Sequence, residues 1–313
     1  MDKIAFLIPC YNEALTIAKV IKDAKNAIPS SKIYVYDNNC TDDTAKIAQE
    51  AGAIVIKESR QGKGNVVRSM FRDIDAECYI MVDGDDTYEL KDTKKMADLV
   101  LNNKVDMVVG DRLSGNYYKE NKRPFHNSGN NVVRYFVNHL FHTHYKDIMT
   151  GYRAFSYEFV KTYPALSKGF DTETEMSIFA ADKNVSIVNF PIEYRDRPKG
   201  SFSKLHTFRD GALVLRQLLG LFVRYRPLAF FAIFGLLFFG LGLGFIIPVF
   251  ITYFQTHSVP NFPTLIACCF ALLTAIQCFF TGFILQSLRE KDYVSFEREY
   301  IKARDRKNDL SKH

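Results

Sequence analysis

The chain has 313 residues, is 47% hydrophobic and carries a net charge of +6, which allows one sizeable domain plus an appendage. Much of the basic excess flanks long apolar stretches, so anionic lipid accounts for it more simply than nucleic acid does. Six cysteines without a C-x-x-C spacing exclude a zinc or dithiol motif and suit a reducing compartment.

In chain order, apolar runs alternate with helical patterns through the first half. Ile4–Ile8, Lys32–Tyr36, Ala53–Ile56, Tyr79–Val82 and Met107–Val109 predict strands. Ala14–Ala27, Thr41–Ala51, Gly64–Ile74 and Asp92–Leu101 predict helices, the second with an acidic start at Thr41-Asp42-Asp43-Thr44 that suits its dipole. This alternation predicts an α/β domain with a mostly parallel sheet and right-handed crossovers. Beyond Asp111 the pattern loosens to a helix over Ser128–Phe141 and a strand over Val185–Tyr194. Between them, Asp171-Thr172-Glu173-Thr174-Glu175 reads either as a sugar contact or as the acidic start of a helix, the second reading ranking higher.

The last third changes character. Leu228 to Phe254 and Phe262 to Leu288 hold no charged residue, and each exceeds the roughly 20 residues that span a bilayer. The short connector from Gln255 to Asn261 makes them a hairpin and carries no Lys or Arg, whereas Arg224 and Arg226 precede the pair and Arg289, Lys291 and Arg298 follow it. The positive-inside rule then puts both flanks in the cytoplasm. Nothing at Met1 resembles a signal peptide. Phe208, Ala212, Leu215, Leu219 and Phe222 recur at helical spacing, as in a helix lying in the membrane interface. The expected organisation is a cytoplasmic catalytic domain over 1–204, an interface helix over 205–227, two spans over 228–288 and a basic cytoplasmic tail over 289–313. A Gly240-x-x-x-Gly244 pair in the first span allows close helix packing within the hairpin or in a homo-oligomer.

Four segments at strand ends carry polar residues that a plain core does not require. The first strand runs into Pro9-Cys10-Tyr11-Asn12-Glu13 ahead of a helix, whose free N–H groups suit a phosphate or a carboxylate cap. The second ends at Asp37-Asn38-Asn39, where a carboxylate can accept from a base or a ribose hydroxyl. After the third comes Arg60-Gln61-Gly62-Lys63-Gly64, too short for a P-loop. The fourth stops at Asp83-Gly84-Asp85-Asp86. Gly84 permits a tight turn there, and paired carboxylates suit Mg²⁺ or Mn²⁺. Ligands of open α/β sheets sit beyond such strand ends.

Together these motifs resemble family 2 glycosyltransferases of the GT-A fold. The later segments Asp147-Ile148-Met149-Thr150-Gly151-Tyr152-Arg153 and Arg197-x-x-Gly200-x-x-Ser203-Lys204 resemble the polyprenyl-phosphate branch, which includes dolichyl-phosphate mannose synthases and bacterial glucosyl-carrier synthases. The resemblance implies a metal-dependent inverting transfer of one sugar from a nucleotide-sugar, UDP-glucose or UDP-N-acetylglucosamine, to a polyprenyl phosphate. Such lipid-linked sugars commonly feed wall or surface polysaccharides. Asp83 and Asp85 would hold Mg²⁺ or Mn²⁺, and Pro9, Tyr11, Glu13, Asp37, Lys63, Asp83 and Gly84 would bind the donor. Arg153, Arg195, Arg197, Ser203 and Lys204 would meet the acceptor phosphate, and Asp85, Asp147 and Arg153 would be the catalytic residues. Asp147 is expected to act as a base, to orient Arg153 or to hold a sugar hydroxyl. The pattern departs from mannose synthases at Thr87, where a Gln is usual. Processive polysaccharide synthases carry a Gln-x-x-Arg-Trp motif, and this chain has no Trp. Two further readings are a transferase with a glycan or protein hydroxyl as acceptor, and a non-catalytic nucleotide-sugar-binding subunit.

Overall fold

A computed structural model describes residues 1–114, 126–167, 172–195, 219–220 and 222–312. Seven strands form one sheet in the order β3-β2-β1-β4-β6-β5-β7. They are β1 (Asp2–Cys10), β2 (Lys32–Asp37), β3 (Ile54–Lys57), β4 (Ala76–Met81), β5 (Met107–Asp111), β6 (Arg153–Ser156) and β7 (Ile187–Pro191). Every neighbouring pair is parallel except those involving β6, which runs antiparallel between β4 and β5.

The helices of the first half are α1 (Ile17–Ala27), α2 (Thr44–Glu50), α3 (Lys63–Asp73) and α4 (Thr93–Leu101). α1 shows why the alternation is legible in sequence. Ile17, Val20, Ile21 and Ala24 fall on one face and are buried, packing with Phe6, Ile8 and Val35 of β1 and β2 in the core. After β5 come α5 (His126–Phe141), α6 (Tyr157–Thr162) and α7 (Thr172–Asp182). The acidic run from Thr172 does start a helix, but one buried nearly all round, Glu173 and Glu175 included. Glu175 is satisfied there by Tyr163 Oη at 3.0 Å and the Ser167 N–H at 2.8 Å.

Two long helices close the chain, α8 (Pro227–Thr256) and α9 (Phe262–Leu310), both long and apolar enough to cross a membrane. By internal contacts the chain divides into two units. One comprises Met1–Thr207 with Phe296–His313, and the other Phe208–Ser295. Within the second, α8 and α9 approach closely at glycines other than the pair singled out from sequence. A Cβ on Gly242 would lie 2.7 Å from Leu272, and one on Gly235 would lie 3.1 Å from Phe279. At Gly240 and Gly244 a Cβ would meet no described atom within 4 Å. Most of the interface helix expected over 205–227 lies outside the described residues.

The stretch read as a basic tail over 289–313 is helical to Leu310, and its last part is built into the first unit. Phe296 meets Phe179 of α7 edge-on at 5.6 Å between ring centroids. Tyr300 donates to Asp106 at 2.6 Å, and Lys307 pairs with Glu158 at 3.1 Å. Asp106 also accepts from Ser156 Oγ and the Ser186 N–H, both at 3.0 Å. One carboxylate thus joins β5, β6, the start of β7 and the C-terminal helix.

Candidate active site

The parallel register brings three sequence-predicted segments side by side. Cys10 at the end of β1 stands opposite Asp37 at the end of β2, and Leu7 stands opposite Met81 of β4. The loops beyond are fastened to one another. The Glu13 N–H donates to Thr44 Oγ1 at 2.8 Å, the Thr41 N–H to Asn12 Oδ1 at 2.8 Å, and the Cys40 N–H to Asp37 Oδ1 at 2.7 Å. Asn12 and Asn39 both adopt positive φ, a conformation Asn tolerates better than most residues. Pro9, Glu13 and Asp37 are half-buried on this edge, and Tyr11 is 39% exposed.

Asn38, beside Asp37, arranges the next loop. Its side-chain amide donates to the carbonyls of Glu58 at 3.0 Å and Arg60 at 2.8 Å, and its Oδ1 accepts from the Gly62 N–H at 2.7 Å. Arg60 grips Glu58 with two bonds of 2.9 Å, and Ser69 donates to the same carboxylate. The Arg60 bonds, with Ser69 adding to them, hold the Glu58 carboxyl down at about 2. This rigid turn delivers Lys63 as the first residue of α3.

At the end of β4, Thr16 Oγ1 donates to the Gly84 carbonyl at 2.6 Å. A Cβ on Gly84 would meet Cys10 Sγ at 2.8 Å, so the turn there has room for glycine alone. Thr87 Oγ1 donates to Asp85 Oδ1 at 2.7 Å. The residue that stands in place of a Gln ligand therefore orients Asp85. Asp83 lies against Gly151, where a Cβ would come within 2.3 Å of Asp83 Oδ2, and its Oδ1 meets Lys63 Nζ at 2.5 Å. Lys63 also pairs with Glu173 of α7. Burial alone would lower the Lys63 pKa, but Asp83 and Glu173 together raise it above the ordinary lysine range.

The donor set fits a hard divalent cation. Two carboxylates one residue apart stand at a strand end, Asp83 with 24% of its side chain exposed and Asp85 fixed through one oxygen. Among the described residues no group of three or more His, Cys, Asp or Glu could hold a metal. Such a pair leaves the remaining positions to substrate phosphates and water, as Mg²⁺ sites commonly do.

The other side of the sheet differs from expectation. Arg153, expected at the acceptor phosphate, is the first residue of β6 and 0% exposed. Its guanidinium donates to the carbonyls of Thr150 at 3.0 Å and Ile148 at 2.8 Å, so it shapes the 147–151 turn from inside the protein. Burial lowers its pKa. Asp147 is also fully buried, and its partner is Arg112 rather than Arg153, in a two-pronged pair at 2.6 and 3.0 Å. Arg112 was not singled out in the sequence, although its place directly after β5 is the available signal. Arg195 is drawn to carboxylates, Glu89 at 3.0 Å and Asp86 at 3.3 Å. Arg197, Ser203 and Lys204 lie outside the described residues.

The fold and the strand-end chemistry agree with what the chain is similar to. Residues 5–163 match the model of "Glycosyl transferase family 2". The chain is 35% identical to the glycosyltransferase AglJ of Haloferax volcanii over 78% of its own length and 80% of the relative's. It is 28% identical to a dolichyl-phosphate hexose transferase of the same organism, over 68% of this chain and 91% of that one. Among solved structures, glucosyl-3-phosphoglycerate synthase of Mycobacterium tuberculosis, in complex with Mn²⁺, UDP and glucosyl-3-phosphoglycerate, superposes with a TM-score of 0.55 at 18% identity. That match covers 71% of this chain and 79% of the other, and it supports the GT-A fold. The chain therefore belongs to glycosyltransferase family 2.

Proposed function

We propose that this glycosyltransferase moves one sugar from a nucleoside diphosphate sugar, UDP-glucose or UDP-N-acetylglucosamine, to a polyprenyl phosphate at the cytoplasmic face of the membrane. The observation that carries the reading is the donor edge, where Asp83, Asp85 and Lys63 gather beyond the parallel strands of a chain that also has two apolar helices. A relative named for dolichyl phosphate and a fold neighbour solved with Mn²⁺ and UDP support it.

Asp83 and Asp85 would hold Mg²⁺ or Mn²⁺, which supplies charge neutralisation for the departing nucleoside diphosphate. Tyr11, exposed beside Pro9, offers a ring to the base, and Asp37 and Glu13 offer acceptors to N–H and hydroxyl donors. Lys63, held against Asp83, would bring its ammonium to the diphosphate. A phosphate monoester acceptor has a second pKa near 6 and is largely ionised at neutral pH, so the step requires no strong base. Asp147 agrees with that, because its two oxygens are engaged by Arg112. Among the described cations of this side, Arg112 with 15% and Arg195 with 37% of the side chain exposed, rather than the buried Arg153, stand partly open.

The acceptor is tested by offering the purified protein polyprenyl phosphate, the corresponding polyprenol and a soluble oligosaccharide with the same labelled donor. The reading requires a lipid product from the phosphate alone. Transfer to a free hydroxyl without transfer to the phosphate would replace it with the hydroxyl-acceptor reading.

A further inference from the structure

Lys63 touches two carboxylates that lie 90 residues apart. Its Nζ is 2.5 Å from Asp83 Oδ1 and pairs also with Glu173 Oε1, with 12% of the Lys63 side chain and 7% of the Glu173 side chain exposed. Backbone closes around the trio. A Cβ on Gly64 would strike the Ser167 carbonyl oxygen at 2.1 Å, and one on Gly151 would strike Asp83 itself. The ammonium has little freedom to leave, and two carboxylates on one cation keep the cluster negative overall. Neither the strand-end motif nor the acidic helix start explains why Glu173 is spent on this lysine.

We infer that Lys63 is a resident counter-ion that Asp83 shares with an arriving divalent cation, and that Glu173 is the positioning residue that retains Lys63 once Asp83 turns to the metal. The inference deepens the reading of Asp83 and Asp85 as metal ligands and rests on it. An ammonium and a divalent ion on one carboxylate repel each other, and the Glu173 charge on the far side offsets that repulsion. Lys63 thus opposes binding of the bare ion, whereas the negative charges of a nucleoside diphosphate, free or sugar-bearing, convert the same ammonium into an attraction. The arrangement makes the site retain metal chiefly together with donor.

The test is Mn²⁺ binding to the full chain in detergent, followed by loss of the free-ion electron paramagnetic resonance signal, first without nucleotide and then with UDP. Without nucleotide, Glu173→Gln is expected to weaken binding and Lys63→Met to tighten it, each on the order of 10-fold, with the double variant near the parent. UDP should strengthen Mn²⁺ binding markedly in the parent and far less in Lys63→Met. A purely structural trio would instead weaken binding in both single variants without mutual rescue, and that result overturns the inference. If Lys63→Met does not fold, Glu173→Gln against the double variant decides the same question. Asp85→Ala separates the two levels. Unchanged Mn²⁺ binding there removes the metal reading itself. Lost binding there, with Glu173→Gln and Lys63→Met unmoved, removes the counter-ion role alone.

Discussion

The ends of β1, β2 and β4 and the neighbouring β5–β6 side use the same kinds of residue to different ends. On the first, Tyr11, Asp37 and Asp83 keep part of their surface open, and their loops are fixed by backbone N–H groups that donate to side-chain oxygens such as those of Asn38 and Thr44. On the second, Asp147 and Arg153 are fully buried and spend their polar atoms on the protein, on Arg112 and on the 148–150 carbonyls. A charged residue inside a motif is defined by what it is buried against. A carboxylate that keeps part of its surface open can serve a ligand, whereas one that completes an interior pair holds the surrounding turn in shape.

That contrast can be broken by substitution, because the two sides should fail differently. Asp85→Ala should lower sugar transfer on the order of 10³-fold, the scale of several kcal/mol of lost charge stabilisation, with a smaller loss of unfolding stability, about 1.5 kcal/mol, from the Thr87 bonds left unmade. Asp147→Ala, which takes the fully buried carboxylate away from a mostly covered Arg112, should cost about 3 kcal/mol in a denaturant titration. If Asp147→Ala melted like the parent and lost only activity, the distinction between the two sides would collapse. A smaller effect sharpens the account of the C-terminal helix. Tyr300→Phe removes a hydroxyl donor to Asp106 and should destabilise by about 1.5 kcal/mol, measured on the same denaturant axis. Smaller still is a pH effect at the turn before Lys63. The Glu58 carboxyl sits at about 2 in the fold against an ordinary 4.5. Its contribution is therefore present above about pH 4.5 and is lost as pH falls toward 2. Glu58→Gln should accordingly destabilise at pH 7, with the difference from the parent shrinking across that window.

The parallel strands β1, β2 and β4 and their polar ends are legible because their cues are local. An apolar run ending in Asp-Gly-Asp, or in Asp-Asn-Asn, announces a parallel strand and its polar end within a few residues. The antiparallel β6 carries no such cue, since Arg153–Ser156 is four residues long and follows a motif that looks polar and catalytic. The burial of Arg153 follows from that strand and is equally unmarked in the sequence. The Asp147–Arg112 pair spans 35 positions, and the link from Lys63 to Glu173 spans more, so no local pattern marks either. The helical tail carries a basic composition that suggests lipid, yet Phe296 and Tyr300 turn it into part of the first unit. Both of those aromatic residues are spaced for one helix face, a cue visible in the sequence and outweighed there by charge.

The most direct measurement is transfer of label to undecaprenyl phosphate in detergent across a panel of UDP- and GDP-sugars, with Mn²⁺ or with EDTA. One UDP-sugar is expected to give a chloroform-soluble product carrying a single sugar, abolished by EDTA and in Asp85→Ala. No lipid product from any donor, with nucleotide-sugar binding intact, would contradict the assignment of a polyprenyl phosphate acceptor.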